Sequence, residues 1–316
     1  MNIGMFEQEH RDVRTTNIGT FEQEHRDVRT ANIGIIGAGK VGIALGHTLK
    51  AKGFNIAAIA SRRQVSLDAA RAYVGQECLY TLDNLLVFDA ADVVAVTTQD
   101  REIRKVAEEA FAANVPLDGK VVFHTSGAHA STELSPLDKR GASLGSFHPL
   151  QTFPDIDSGI AVLPETYIFI EGDDKALPAL RTLASAAGRE WVLLAKENKV
   201  LYHLSAVFVC NLLAALFHSG EAIMKRIDID LSPFYPIIRA TLNNIEAKGP
   251  LFSLTGPVVR GDAGTIASHL DAMEGMEQQK EVYRSLSRVA LEMAEERGTL
   301  SPEQIKALKA LLKGQG

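Results

Sequence analysis

Apolar and polar positions follow two rhythms along this chain. Residues 33–36, Ile-Gly-Ile-Ile, form a short apolar run that ends at Gly37, and beyond it Val41, Ile43, Ala44, Leu45 and Leu49 recur at helical spacing. A short apolar run bounded by turn residues predicts a buried strand, and a period near 3.6 predicts a helix with one face in a core. The alternation continues. Strands are predicted at 54–60, near Leu79, and at 92–97, 120–124, 142–147, 166–170 and 191–194. Helices are predicted at 66–74, at 100–113 with Asp100 as N-cap, at 131–140, and between the last two strands. Such alternation predicts an α/β fold, a doubly wound and mostly parallel sheet with right-handed crossovers. From about Lys196 the strand pattern stops, and helices are predicted at 199–226, 232–247, 263–273, 277–297 and 302–313. The expected organisation is a nucleotide-binding domain at 32–195 followed by an all-α domain at 196–316. The most apolar stretch, 204–217, is interrupted by Asn211 and flanked by His203 and His218. It reads as a buried helix too short to cross a bilayer.

Residues 2–16 recur almost unchanged as 17–31, and a third Asn-Ile-Gly opens the first strand at Asn32. Two short, charged copies are too few for a solenoid. Residues 1–31 read as a surface tail, produced by a coding duplication or a misassigned start; the alternative is a docking or oligomerisation arm. No secretory signal pattern is expected there.

Composition narrows the classes. With 316 residues, 46% of them hydrophobic, the chain can bury about two domain cores. A net charge of −6 and a pI near 5.9 argue against a nucleic-acid surface. Two cysteines, Cys78 and Cys210, make neither a disulfide framework nor a zinc site, so a cytoplasmic protein without a metal is expected.

The first turn carries the sharpest signal. Gly37, Gly39 and Gly42 stand at G-x-G-x-x-G spacing between predicted strand and helix, with Lys40 and Val41 completing the turn. The first glycine allows the turn, the second lets backbone approach a pyrophosphate, and the third lets helix pack on strand. Helix N-terminal N–H groups would face the phosphates. The plainer alternative is a glycine turn that only packs tightly. After the second strand comes Ser61-Arg62-Arg63, and no acidic residue lies between Lys40 and Leu67. A carboxylate there would take the ribose 2′-hydroxyl of NAD, whereas a serine and two arginines suit a 2′-phosphate. NADP(H) is therefore the expected cofactor, the alternative being two solvated arginines. Thr97 and Thr98 follow the carboxyl end of a strand, the edge that faces the ligand crevice. Ser126 follows the next strand and is expected at the cofactor, or else is an ordinary turn serine.

Lys199, Tyr202, His203, Ala206 and Cys210 share one helix face, and Asn211 lies at its edge. Lysine and histidine one turn apart on an apolar helix are costly unless they meet solvent, a ligand or each other. Lys199 and His203 are thus catalytic candidates; the alternative is an exposed lysine and a satisfied core histidine. His148, held by Pro149 at a strand end, is another, against a histidine bonded only to backbone. Arg260, in the turn-rich loop with Thr255, is the natural receptor for a substrate carboxylate, unless it pairs with Asp262. His269, Asn243 and Asn244 read as structural. No H-x-x-x-H, C-x-x-C or G-x-S-x-G occurs.

The motifs GAGKVG (37–42), HTSGA (124–128), GSFHPLQTFP (145–154), KVLYH (199–203) and LTGPVVRGD (254–262) resemble those of bacterial Rossmann-like proteins whose C-terminal helical domain has no assigned function. That family is similar to the 6-phosphogluconate, 3-hydroxyacid, pyrroline-5-carboxylate, ketopantoate and prephenate dehydrogenases and reductases. The resemblance implies a Rossmann domain followed by a helical domain of the 6-phosphogluconate dehydrogenase C-terminal type, which makes a homodimer. It implies that Lys199, which matches the lysine of a K-x-x-x-N helix, acts as acid or base, with His203 in the asparagine's place. It implies that His148-Pro149 lies near the nicotinamide. The expected activity is hydride transfer between NADP(H) and a small carbonyl or hydroxy acid in an interdomain cleft, a 2-oxo acid like ketopantoate being favoured. An imine reductase of the pyrroline-carboxylate type, or an NADP(H) sensor without turnover, is the alternative.

Overall fold

A computed structural model describes residues 28–313; most of the duplicated N-terminal segment lies outside the described residues. The chain divides into two compact units, one ending at Ala206 and the other beginning at Val207. The first includes 196–206, the start of the expected helical domain.

The first unit holds one eight-stranded sheet, with β1 (Asn32–Ile36), β2 (Asn55–Ala60), β3 (Leu79–Thr81), β4 (Val93–Val96), β5 (Val121–His124), β6 (Ser143–Pro149), β7 (Tyr167–Gly172) and β8 (Glu190–Leu193) in the order β3-β2-β1-β4-β5-β6-β7-β8. Its helices are α1 (Lys40–Ala51), α2 (Gln64–Val74), α3 (Leu85–Ala90), α4 (Asp100–Ala112), α5 (Ile156–Val162), α6 (Leu177–Ala187) and α7 (Lys199–Ala206). β4 is apolar throughout, and β1 from Ile33 onward, because both faces of the sheet are covered. Ile33, Ile35, Val93 and Ala95 point into one core, and Ile36, Val94 and Val96 into the other. This is the doubly wound Rossmann-like architecture that the alternating pattern predicts.

Two local expectations are corrected. The segment 131–140 is not one helix but two 3₁₀ turns, Ser131–Leu134 and Asp138–Arg140, because Pro136 between them lacks the N–H a helix needs. Asp100 is the first residue of α4 rather than its cap; Gln99 holds the cap position without a side-chain bond. Within the mostly parallel sheet that was expected, β7 runs antiparallel to β6. The connecting chain passes through α5, whose Gly159 sits against Ala44 of α1, and re-enters the sheet at the end where β6 leaves it, with Pro149 opposite Ile168.

The second unit is helical: α8 (Leu212–Met224), α9 (Tyr235–Ser253), α10 (Pro257–Arg260), α11 (Ala263–Ala272), α12 (Glu277–Glu296) and α13 (Pro302–Leu311). Val258, Ile266, Leu270, Leu291 and Leu308 form its core. Asp262 caps α11 as expected, accepting from the Thr265 N–H at 3.0 Å. A π-helical turn, Val207–Asn211, joins α7 to α8. The expectation of a short, buried helix at 204–217 fails. The helical run Lys196–Ile227 is 32 residues long, apolar and long enough by composition to cross a membrane, and its most apolar window is unburied. Phe208 is 64% exposed and Val209 69%.

Candidate active site

The glycine turn is built from three different constraints. Gly37 has φ +114°, and its N–H donates to the Ala60 carbonyl at 2.9 Å. The Thr97 hydroxyl donates to the Gly37 carbonyl at 2.6 Å and so ties the ends of β1 and β4 together. A Cβ on Gly42 would lie 2.2 Å from the Gly37 carbonyl oxygen. A Cβ on Gly39 would meet no described atom within 4 Å. Gly39 is also the N-cap of α1 and offers no side-chain cap, which leaves the first-turn N–H groups available to an anion. Lys40 is exposed and Val41 half-buried in that turn.

A cleft of about 670 Å³ opens over Gly37–Gly39 and is lined by Ser61, Arg62, Arg63, Thr97 and Thr98. The Thr98 hydroxyl is buried and has no hydrogen-bond partner among the described residues, a polar atom that a ligand would satisfy. The absence of acid near Arg62 holds only along the sequence. Glu102 of α4 lies in the same cleft, 3.5 Å from Arg62, 3.5 Å from Arg101 and 3.2 Å from Lys105. Its hydrogen bond from Lys105, with the nearby arginines, holds its carboxyl below the ordinary value. Arg101, Glu102 and Lys105 were not readable as cleft residues, because they reach it from another strand's helix.

A second cluster lies beyond the carboxyl ends of β5 and β6. His124 is fully buried; its Nε2 is 2.9 Å from the Ala130 carbonyl, and its Nδ1 accepts the Ser126 N–H at 3.2 Å. Burial pushes its pKa down to about 4, so a neutral ring pins the loop 125–130. The Ser126 hydroxyl accepts the Ala128 and His129 N–H groups, each at 3.2 Å, and is engaged in this turn.

Lys199, the first residue of α7, is 1% exposed, which removes the reading of it as a surface lysine. Its Nζ donates to the Ser126 carbonyl at 2.8 Å and the Ser146 hydroxyl at 2.6 Å. Burial lowers its pKa to about 8, opposed by the negative charges of Glu171 and Asp100. His148 Nδ1 lies 2.6 Å from the Tyr202 hydroxyl, so its partner is a side chain and not only backbone. Burial, then the charge of Lys199, pushes its pKa down to about 3, leaving a neutral imidazole at pH 7. Burial raises the Tyr202 phenol well above its usual range, and Phe169 stacks on its ring at 4.3 Å. The two candidate histidines meet over Gly127, where a Cβ would lie 2.8 Å from both His148 Nε2 and His203 Nδ1. That His203 nitrogen is buried and has no partner among the described residues. Lys199, His148 and His203 are thus brought together, with two residues the sequence did not single out. Tyr202 carried a signal, since it shares the Lys199 face. Glu171 carried none.

The other candidates belong to the second unit. Cys210, expected on the Lys199 face, is exposed in the π turn, as is Asn211; the wider π turn breaks the helical register. Arg260 and Thr255 are exposed. Among the described residues Arg260 makes no ion pair, so the alternative of pairing with Asp262 is not seen. His269 bonds the Tyr283 hydroxyl at 2.9 Å, as a structural histidine does.

Residues 19–149 match a Rossmann-like domain, and residues 166–290 match a domain of unknown function, DUF2520. A crystal structure described as an NADP oxidoreductase from Bacteroides fragilis is similar at 25% identity over 84% of this chain and 100% of that one, with a TM-score of 0.68. A protein from Thermotoga maritima is similar at 25% identity over 84% and 99%, with a TM-score of 0.67. A reductive aminase from Aspergillus terreus shares the fold, at 15% identity over 90% and 100% and a TM-score of 0.64. No curated protein sequence matches the chain.

Proposed function

We propose that this protein is an NADP(H)-dependent oxidoreductase acting on a small carbonyl compound or the corresponding hydroxy acid, with a 2-oxo acid as the favoured substrate. The observation that carries the reading is the open space at Gly39, between two glycines that have none. Tight packing alone would leave no reason for glycine at the middle position. Backbone N–H groups at Gly39 and α1 would hold the pyrophosphate, Thr98 would satisfy its hydroxyl on the nucleotide, and Ser61, Arg62 and Arg63 would meet the 2′-phosphate. NADPH, when bound, supplies the hydride.

The chain's own part is the proton. A carbonyl oxygen gains negative charge as it is reduced and needs a donor. Lys199 is the proposed source, carrying a third N–H beyond the two it gives to Ser126 and Ser146. His148, neutral and fixed through Nδ1 by Tyr202, presents Nε2 over Gly127 to orient the substrate oxygen or relay the proton, with His203 beside it. Arg260, with Thr255 and Asn211, is the proposed receptor for a substrate carboxylate. A sensor without turnover would have no use for a buried lysine and two imidazoles around one glycine.

Calorimetric titration of NADPH and NADH side by side tests the cofactor. NADPH should bind at least about tenfold more tightly, a charge-assisted contact being worth about 1.5–3 kcal/mol. The double variant Arg62→Ala/Arg63→Ala should erase that preference. If neither nucleotide binds, the oxidoreductase reading is withdrawn. With binding established, 2-oxo acids and cyclic imines are screened for NADPH oxidation.

A homodimer through the helical unit is part of the same proposal. An exposed helix rich in large apolar side chains needs a cover, and Asn211, His218, Glu221 and Lys225 within the same run favour a protein surface over lipid. Light scattering should give twice the chain mass of 34.2 kDa, and Phe208→Asp should give monomers; a monomeric wild type refutes the dimer. Unpaired Cys78 and Cys210 fit the proposed cytoplasmic setting.

A further inference from the structure

The buried polar groups of the first unit include one carboxylate that the proposed chemistry does not use. Glu171, in β7, is 5% exposed. Its Oε2 accepts the Ser131 N–H at 2.8 Å and its Oε1 accepts the Ser131 hydroxyl at 2.6 Å. These bonds satisfy lone pairs but bring no positive charge, and an ionised carboxylate out of water is costly without one. The antiparallel pairing of β6 and β7 sets Ser146 directly opposite Glu171, and residues so paired project from the same face of the sheet. The Ser146 hydroxyl is the group that receives Lys199. No direct ion pair joins Lys199 to Glu171 among the described residues; the charges face each other across this cross-strand pair.

We propose that Glu171 is the built-in counter-charge of Lys199: it keeps the ammonium protonated and seated between Ser146 and the Ser126 carbonyl, and so is a positioning residue of the site. Its importance for turnover rests on the reading of Lys199 as the proton source; the charge coupling does not. The other groups around Lys199 cannot take this part. His124 on β5 and His148 on β6 are held neutral by burial, and Tyr202 on α7 is a neutral phenol. His203, also on α7, can carry only positive charge. Among the described residues, Asp100 at the start of α4 is the one other anion that acts on Lys199, and it is exposed, where solvent screens it. Removing the Glu171 charge leaves only that screened carboxylate against the burial that already lowers the lysine's proton affinity.

The test is a direct titration of the Lys199 side chain by NMR of its Cε–Nζ resonance, assigned with Lys199→Arg, in the whole protein without cofactor. Wild type should titrate near pH 8. Glu171→Gln, which keeps both bonds to Ser131 available, should move the midpoint down by about one pH unit or more, a tenfold loss of protonated lysine. Asp100→Asn should move it less. An unchanged midpoint in Glu171→Gln, or a larger shift in Asp100→Asn, overturns the proposal. Should Glu171→Gln fail to fold, Glu171→Met decides: it removes the same charge with an apolar side chain of similar length, the Lys199 midpoint should again move down by about one pH unit, and an unchanged midpoint overturns the proposal equally. Since no nucleotide or substrate is present, a shifted lysine in a protein that binds no NADPH would sustain the counter-charge and sink the oxidoreductase reading.

Discussion

Replacing Lys199 with methionine is expected to lower kcat for NADPH-dependent reduction by about 10² to 10⁴, the usual contribution of a positioned proton donor, with NADPH affinity unchanged. Methionine nearly matches lysine in length and suits a site that is 1% exposed, so the loss would report chemistry more than collapse. The pH profile sharpens the test. A donor must carry its proton, and burial lowers the Lys199 pKa to about 8. The reductive rate should therefore be flat below pH 7 and fall as pH rises through about 8. In Lys199→Met that fall should vanish along with most of the rate. His148, held near 3, is neutral on both sides of this range and contributes no limb to the profile. A variant that keeps wild-type turnover removes Lys199 from the mechanism.

The glycine turn yields an opposed pair of outcomes. Gly42→Ala is expected to destabilise the protein by about 1–3 kcal/mol or more, the cost of overpacking a closed contact. The new Cβ would sit 2.2 Å from the Gly37 carbonyl oxygen and 2.4 Å from Thr97 Oγ1, and neither atom can yield without opening the β1–β4 junction. Gly39→Ala is expected to leave the melting temperature where it was, since no described atom lies within 4 Å and φ is −93°. Its effect should fall on the ligand instead, weakening NADPH by about tenfold or more, because the methyl group would occupy the approach to the pyrophosphate. Thermal melts and calorimetry on the two variants check both halves. If Gly39→Ala binds NADPH like wild type, the opening is not the phosphate seat.

How far each feature could be read without the fold depends on the distance over which it is encoded. The first strand, turn and helix lie within about twenty residues, and their apolar spacing and glycines constrain local dihedrals and one buried face. That part was legible in the chain itself, as were the succession of strands and the change to helices after β8. The placing of Lys199 and His203 one helical turn apart was legible for the same reason. By contrast, whether a side chain ends up buried, paired or facing a neighbour depends on strand register and on chain that returns from far away. The periodicity of β7 is the same whichever way it runs; only the path through α5 makes it antiparallel and sets Glu171 against Ser146. Arg101, Glu102 and Lys105 enter the cleft over the glycine turn because β4 lies beside β1 in the sheet, some sixty residues away in the chain. The long apolar helix shows the converse: its composition reads as buried, yet composition states only that a cover is needed and not whether the same chain provides it. Sequence alone thus determined most of the strands and long helices and which of them carry chemical groups. The tertiary structure decided which of those groups meet, because burial and charge pairing are properties of the assembled sheet, not of any one stretch.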